Sequence, residues 1–339
     1  MDLVKDTLAG KRLALARLLT QVENDTPLGR EALNRLFPYT GRAHLIGVTG
    51  SPGTGKSSLV CRLVKAFRGE TGGPKVAVIA VDPTSPFSGG ALLGDRVRMR
   101  DLFGDEGVFI RSMASRGALG GLSHTTAAVA QVLDAAGYEY ILIETVGAGQ
   151  SEVDIARLAQ TVLVVESPGL GDDIQAIKAG ILEVADILIV NKSDLPGADQ
   201  AARALQSMIE LSYPNRLARG SETEKLAKSL EGIEPKLGGE LLMRALTWEP
   251  PVLKASTPLG EGVEEIIQAI HDHRCYLESS GEWQNRDAAR LQTGLEALIQ
   301  ATLVARWRAN LPAEKYREVL ARLAERKLSP YEAVEQLLP

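Results

Sequence analysis

One nine-residue stretch, Gly50–Ser58, has the residue types and spacing of a phosphate-binding loop. It matches the pattern G-x-x-x-x-G-K-[ST] at each position. Glycines let the backbone turn several N–H groups toward one phosphate, and the amino end of the next helix adds partial positive charge. We expect Lys56 to reach the outer phosphates and Ser57 to hold Mg2+ through its hydroxyl. The predicted phosphate-binding residues are Gly50, Ser51, Pro52, Gly53, Thr54, Gly55, Lys56, Ser57 and Ser58.

The residues on either side of this loop favour the same interpretation. His44–Thr49 is a short apolar run that ends in small residues, as a buried strand does, and apolar residues recur at helical spacing from Leu59 to Phe67. Strand, glycine loop and helix follow one another in the order that phosphate binding requires. The alternative is a glycine-rich strand-to-helix turn that matches the pattern by chance.

A second buried-strand pattern ends at Asp82. Open α/β sheets bind ligands at the carboxyl ends of their strands, so we expect Asp82 to lie near Mg2+. A turn aspartate before Pro83 is the structural alternative. The glycine-rich segment that follows carries Asp95 and Arg96, and its position beside a nucleotide site suggests a switch segment.

The strand pattern Tyr140–Ile143 is followed by an acid-x-x-Gly motif. Phosphate-loop GTPases have such a motif, in which the acid orients Mg2+ through water and the glycine N–H contacts the γ-phosphate. Glu144 and Gly147 fit it, with Glu in place of the commoner Asp. Gln150 and Glu152 could orient a water molecule, although a glutamine that opens a helix is often only solvated. The predicted catalytic residues are Lys56, Glu144, Gly147 and Gln150.

An N-K-x-D motif, Asn191–Asp194, follows a further buried-strand pattern. The Asp194 carboxylate can accept hydrogen bonds from guanine N1–H and the 2-amino group, whereas adenine has no such donor pair. Sites that depend on such pairing discriminate by about 10⁴-fold or more, which favours GTP over ATP. We expect Asn191 and Lys192 to brace the loop and cover the base, and Ser256 to lie in the loop at the guanine carbonyl.

The order of these patterns predicts an α/β fold. We expect a P-loop NTPase with a mainly parallel sheet flanked by helices, plus N- and C-terminal helical extensions. The predicted division is an N-terminal helical arm over residues 1–40, a GTPase core over 41–262 and a C-terminal helical arm over 263–339.

Composition narrows the function classes. The chain has 339 residues, 45% hydrophobic and 24% charged, and a net charge of -5, so no basic surface favours nucleic acid or an anionic membrane. No apolar run approaches the length that spans a bilayer, and the charged start Met1–Asp6 does not fit a secretory signal. With Cys61 and Cys275 as the only cysteines, we expect a cytoplasmic protein with unpaired thiols.

Taken together, these motifs resemble the MeaB/ArgK family of GTPases, which includes the human methylmalonic aciduria type A protein. The resemblance covers nearly the whole chain. It rests on Gly50–Ser57, Asp82–Ser85, Gly89–Arg96, Glu144–Glu152, Asn191–Asp194 and Ser279–Trp283. One departure is Thr257, where the family pattern has alanine after Ser256.

The resemblance implies a GTPase chaperone for an adenosylcobalamin-dependent acyl-CoA mutase, typically methylmalonyl-CoA mutase. Such proteins gate cofactor loading, protect the mutase from inactivation and form homodimers through C-terminal helices. It also implies GTP or GDP and Mg2+ as ligands. The metal would be surrounded by Ser57, Asp82, Asp95 and Glu144. A third switch, Gly169–Lys178, would sense the mutase through Asp172, Gln175 and Lys178, although Asp172 could instead cap a helix.

Two other functions stay open at this point. One is a kinase of transport-binding proteins, for which the sequence offers neither a catalytic base nor a peptide groove. The other is a nickel-type metallochaperone, which would need a histidine or cysteine cluster. For GTP hydrolysis, Arg96, Arg111 and Arg116 are candidate arginine fingers without known geometry, so we expect slow turnover that a partner stimulates.

Overall fold

Seven parallel strands form one sheet in the part of the chain that the computed structural model describes. That part comprises residues 2–69, 72–82, 99–102, 104–114, 121–145, 155, 157–169, 184–212 and 248–338. The strands are β1 His44–Thr49, β2 Val76–Asp82, β3 Val108–Ala114, β4 Tyr140–Thr145, β5 Thr161–Glu166, β6 Ile187–Val190 and β7 Val252–Lys254. Their order is β3-β2-β4-β1-β5-β6-β7, with parallel pairing throughout. The predicted α/β architecture is confirmed.

Ten α-helices accompany these strands within the described residues. They are α1 Leu3–Leu8, α2 Arg12–Glu23, α3 Pro27–Leu36, α4 Lys56–Arg68, α5 Gly121–Ala135, α6 Ala198–Ser212, α7 Val263–Ser280, α8 Glu282–Asn310, α9 Ala313–Ala324 and α10 Pro330–Leu337. Short 3₁₀ turns occupy Phe37–Tyr39 and Arg100–Leu102.

The strands are apolar on both faces because helices cover both sides of the sheet. Ile141 and Ile143 of β4 pack in a cluster with α1–α3 and α5, whereas Leu142 faces a second cluster with α4 and α7. β5 and β6 divide in the same way between the second cluster and one that includes α6. Since side chains alternate along a strand, each apolar run supplies two cores at once. Because all pairs are parallel, the carboxyl ends of the strands lie along one edge of the sheet.

The N-terminal arm is helical, but its first helical stretch is broken. Gly10 has a φ of +78°, and its left-handed backbone separates α1 from α2. Leu13, in the first turn of α2, is 62% exposed. The next helix, α3, begins at Pro27 because the Thr26 hydroxyl accepts a hydrogen bond from the Gly29 N–H at 3.0 Å.

The described chain divides into two compact units, Met1–Arg290 and Leu291–Pro339. The first unit includes α7 and the first residues of α8. The second has a small core around Val319, Leu328 and Ala333, and its Trp307 donates a hydrogen bond from Nε1 to the Leu337 carbonyl at 2.8 Å. The predicted functional division at 262/263 stays a prediction.

None of the described helices has the length and apolar character needed to cross a membrane.

A buried polar network lies at the amino-terminal edge of the sheet. Thr161 Oγ1 is 2.6 Å from His44 Nε2 and 2.9 Å from His273 Nδ1, and His273 Nε2 is 3.3 Å from Asp186 Oδ1. Arg286, near the start of α8, donates to both oxygens of Asp186 at 2.8 and 2.9 Å. We define these five residues as the amino-edge network; it joins three strand starts to α7 and α8.

Burial in this network makes stability depend on pH. Burial, together with the nearby positive charge of Arg274, holds the pKa of His44 well below its ordinary value. Burial alone would raise the pKa of Asp186, but hydrogen bonds from His273 and Arg286 hold it below its ordinary value. His44 is therefore neutral in the folded protein, while the unfolded chain takes up a proton near its ordinary pKa of about 6.5.

We expect the free energy of unfolding to fall as the pH drops below about 6.5, by up to about 1.4 kcal/mol per pH unit from His44. The contribution of Asp186 is present above its unfolded pKa and is lost only at lower pH, as the pH falls through its lowered folded pKa. Urea unfolding between pH 7.5 and 5 measures this slope. His44→Gln should flatten it, because glutamine has no group that takes up a proton in this range. An unchanged slope in His44→Gln would contradict the assignment.

Candidate functional site

The phosphate loop joins β1 to α4, and two glycines set its shape. Gly50 has a φ of +130°, and a Cβ there would lie 2.0 Å from the carbonyl oxygen of Val165. Gly55 has a φ of +90°, and a Cβ there would lie 2.5 Å from Asn191 Nδ2. Both positions therefore exclude a side chain, because the loop lies directly against the carboxyl ends of β5 and β6.

Lys56 is held inside this loop. Its Nζ donates hydrogen bonds to the carbonyl oxygens of Gly50 at 2.7 Å and Ser51 at 2.9 Å, and the residue is only 6% exposed. The ammonium group lies at the first residue of α4, where the helix dipole adds positive potential. Loop and helix together form a positive site suited to a phosphate group.

Ser57, at the amino end of α4, meets Glu144, near the carboxyl end of β4. Glu144 lies next to Val48 in the pairing of β4 with β1, and its Oε1 accepts a hydrogen bond from Ser57 Oγ at 2.5 Å. Both residues are buried. A hydroxyl and a carboxylate are the hard oxygen ligands that Mg2+ takes from a protein, with nucleotide phosphates and water completing its shell. The residues present therefore fit Mg2+.

Asp82 ends β2, the strand beside β4, where its backbone pairs with Ala114. Its position at the carboxyl end of the strand agrees with the one expected from the sequence. The structure describes no side-chain position for it. Other predicted site residues lie outside the described residues altogether: Asp95, Arg96, Gly147, Gln150, Asp172, Gln175 and Lys178.

Glu166 is a site residue that the sequence analysis missed. It ends β5, is 6% exposed, and its Oε1 accepts hydrogen bonds from Ser51 Oγ at 3.1 Å and Ser51 N at 3.4 Å. A carboxylate thus supports the phosphate loop from the neighbouring strand. An acid at the carboxyl end of a buried strand was the available signal, as it was for Asp82 and Glu144.

Two residues of the N-K-x-D motif make hydrogen bonds to the phosphate loop. Asn191 is buried and donates from Nδ2 to the Thr54 carbonyl at 2.7 Å. Lys192 donates from Nζ to the Gly53 carbonyl at 2.7 Å, and its own backbone has a left-handed φ of +56°. Few non-glycine residues adopt that backbone conformation, and those that do often lie at functional sites. Contact of either side chain with a base stays a prediction.

Asp194 and Ser256 lie together although they are far apart in the chain. Ser256 Oγ donates to Asp194 Oδ1 at 2.6 Å, and the Ser193 N–H donates to the Ala255 carbonyl at 2.9 Å. Ser256 is buried, whereas Asp194 is exposed. The loop after β7 therefore orients a carboxylate that a ligand can still reach.

Arg111 is one of the candidate arginine fingers, and its side chain contacts the N-terminal arm. β3 continues to Ala114, so Arg111 is within the strand. Its side chain forms an ion pair with Glu23 of α2, in which Nε donates to Oε1 at 2.7 Å, and also donates to Thr20 Oγ1 at 3.2 Å. Arg111 thus fastens the N-terminal arm to the sheet. The other candidate arginine fingers, Arg96 and Arg116, lie outside the described residues.

Known proteins are similar in sequence to this chain over most of its length. The family model described as "Methylmalonyl Co-A mutase-associated GTPase MeaB" matches residues 15–312. GTPase ArgK of Escherichia coli is 35% identical over 336 residues, covering 97% of this chain and 92% of ArgK. The "Methylmalonic aciduria type A homolog, mitochondrial" of Caenorhabditis elegans is 32% identical over 298 residues, covering 84% of this chain and 68% of the homolog.

A solved structure is also similar to this chain over nearly its whole length. The crystal structure described as "LAO/AO transport system kinase" superposes with a TM-score of 0.63 at 29% identity, covering 99% of this chain and 95% of the other. Fold, motifs and full-length similarity therefore agree with the resemblance that the motifs indicated. The chain belongs to the MeaB family of methylmalonyl-CoA mutase-associated proteins and is a GTPase.

Proposed function

We propose that this GTPase is a chaperone for an adenosylcobalamin-dependent acyl-CoA mutase of the methylmalonyl-CoA mutase type. It would gate cofactor loading and protect the mutase from inactivation. The observation that carries the proposal is the family match over residues 15–312, whose description names that mutase. The similarity to a methylmalonic aciduria type A homolog supports the same partner.

GTP hydrolysis would depend on charged groups held in position around the phosphates, with no covalent intermediate on the protein. We propose that Lys56 and the amino end of α4 bind the phosphates, and that Ser57 and Glu144, with Asp82 and Asp95, hold Mg2+. When bound, Mg2+ would neutralise negative charge on the β- and γ-phosphates. The main-chain N–H of Gly147 would sense the γ-phosphate, and Gln150 would orient the attacking water.

Base recognition would use Asn191, Lys192, Asp194 and Ser256, with guanine donating to the Asp194 carboxylate. Their hydrogen bonds to the phosphate loop and to each other support this assignment. Arg96 would respond to the nucleotide as part of a switch segment. The switch that senses the mutase would carry Asp172, Gln175 and Lys178.

We further propose a homodimer formed through the C-terminal arm, 263–339. In support, α8 has an apolar stripe in the second compact unit that is 46–60% exposed. It consists of Leu291, Leu295, Leu298, Ile299 and Leu303. These positions fall on one side of a helix, and a contiguous exposed apolar surface of this kind marks an interaction site.

GTP hydrolysis with and without the mutase of the same organism tests the partner. We expect slow intrinsic turnover, stimulation of at least about fivefold, and a mutase–GTPase complex by size exclusion, because partners complete GTPase sites. Lys56→Ala serves as the control for contaminating activity. Hydrolysis that the mutase leaves unchanged, with no complex, would overturn the proposed partner. Unstimulated turnover of about 10 s⁻¹, the level of an activated GTPase, would overturn the expected mechanism.

A further inference from the structure

We propose that Arg62 is a positioning residue for guanine selectivity, because it clamps the loop that orients Asp194. The proposal rests on the guanine site proposed above. It adds a residue of the phosphate helix, α4, to the part of the site that recognises the base. Arg62 belongs to none of the motifs in the sequence.

The contacts of Arg62 are made with two consecutive carbonyl groups. Its Nε donates to the Thr257 carbonyl at 2.8 Å, and its Nη2 donates to the Pro258 carbonyl at 3.0 Å. A planar guanidinium that bonds two neighbouring acceptors fixes both the position and the orientation of the backbone between them. A lysine ammonium could hold the position but lacks the planar fork.

The loop that Arg62 holds is short and closed. The Ser256 N–H donates to the Glu261 carbonyl at 3.0 Å, and the Gly260 N–H donates to the Ser256 carbonyl at 2.8 Å. Gly262 closes it with a φ of +76°, where a Cβ would lie 2.0 Å from the Lys254 carbonyl oxygen. These hydrogen bonds hold the residues of the loop to one another, so a restraint on Thr257 and Pro258 also restrains Ser256.

Ser256 passes this restraint to the carboxylate that would recognise guanine. Its hydroxyl donates to Asp194 Oδ1 at 2.6 Å, one residue away from the carbonyl that Arg62 holds. Asp194 is exposed, so its orientation depends on such contacts. Selectivity is a difference between two affinities, and it falls when the carboxylate no longer meets both guanine donors at good geometry.

Arg68 provides a matched control on the same helix. It also bonds carbonyl oxygens and a carboxylate, with Nη1 on the Pro74 carbonyl at 3.0 Å and Nε on Asp105 Oδ2 at 2.7 Å. These partners belong to the segments around β2 and β3, and none of them is a predicted base-binding residue. A purely structural role for Arg62 would therefore give both arginine variants the same phenotype.

The experiment measures dissociation constants for GDP and IDP, which lacks the 2-amino group. It uses the full-length wild-type protein and the variants Arg62→Met, Arg62→Lys, Arg68→Met and Asp194→Asn. We expect Arg62→Met to lower the guanine preference, the ratio of the IDP constant to the GDP constant, by about threefold to tenfold, the effect of one hydrogen bond. Arg62→Lys should be intermediate, and Arg68→Met should keep the wild-type ratio. In Arg62→Met, KM for GTP should rise while kcat stays within about twofold.

The outcomes separate this inference from the proposed site. If Asp194→Asn loses the guanine preference while Arg62→Met and Arg62→Lys keep it, the role of Arg62 is overturned and the guanine site stands. If Asp194→Asn keeps the preference, the guanine site itself is overturned. Should Arg62→Met not fold, as circular dichroism would show, Arg62→Lys alone decides: a reduced ratio supports the inference, and a wild-type ratio overturns it.

Discussion

Replacing Lys56 with alanine should lower kcat/KM for GTP by at least about a hundredfold. Loss of one fixed donor to a developing transition-state charge typically costs about 10²–10³-fold, and Lys56 supplies a full charge from a buried position. Steady-state phosphate release measures the effect. We expect weaker GDP binding as well, because the proposed site has the ammonium group on the phosphates both before and after hydrolysis.

Lys65→Ala is the matched control for this variant. Lys65 lies on the same helix, but its Nζ pairs with exposed Asp101 at 3.0 Å and contacts none of the predicted phosphate-binding residues within the described chain. Its removal should leave kcat/KM within about twofold, as expected for a surface ion pair. Equal activities of Lys56→Ala and Lys65→Ala would contradict the assignment of Lys56 to the phosphates.

Replacing Asp186 with asparagine should reduce the free energy of unfolding by about 3 kcal/mol, because it leaves the Arg286 guanidinium without its buried counter-charge. Asp186 also accepts the Val162 N–H at 2.8 Å, so its oxygens support the sheet as well as Arg286. Since 34% of the Arg286 side chain is exposed, water offsets part of the loss. Urea unfolding at pH 7.5 measures the change.

Two further variants make this measurement decisive. Asp199→Asn removes an exposed pair with Lys254, whose Nζ lies 2.7 Å from Asp199 Oδ1, and should leave the urea midpoint nearly unchanged because water screens the pair. The double variant Asp186→Asn, Arg286→Met removes both charges and keeps an amide oxygen for the Val162 N–H, and it should be more stable than Asp186→Asn if the uncompensated charge is the cause. A cost for Asp186→Asn no larger than for Asp199→Asn would show that the pair contributes little.

Local pattern was sufficient to predict strands such as β1 and β6 and the motifs directly after them. β1 is a short apolar run that Gly50 follows, and the N-K-x-D motif follows β6, so type and position were visible in neighbouring residues. The break at Gly10 has no signal in the apolar pattern, which continues across it. The extension of β3 past Arg111 has none either, because a basic residue interrupts the apolar run.

The remaining site contacts depend on residues that only the fold brings together. Glu166 and Ser51 are separated by 115 positions, and Arg62 and Thr257 by 195, so neither contact has a signature in local spacing. The amino-edge network is a similar case. His44, Thr161 and Asp186 each look like an isolated polar residue before an apolar run, and only the strand order makes them neighbours.

The amino-edge network has a consequence for the nucleotide site, because the same strands connect the two. β1 begins at His44 and leads to Gly50, β5 begins at Thr161 and ends at Glu166, and β6 begins after Asp186 and leads to Asn191. The six residues of β1 span about 20 Å and are all buried. A protein interior packed in this way has low compressibility. The first turns of α8 and the phosphate loop are therefore the two ends of one rigid support. Such preorganisation lowers the entropy lost when a nucleotide binds.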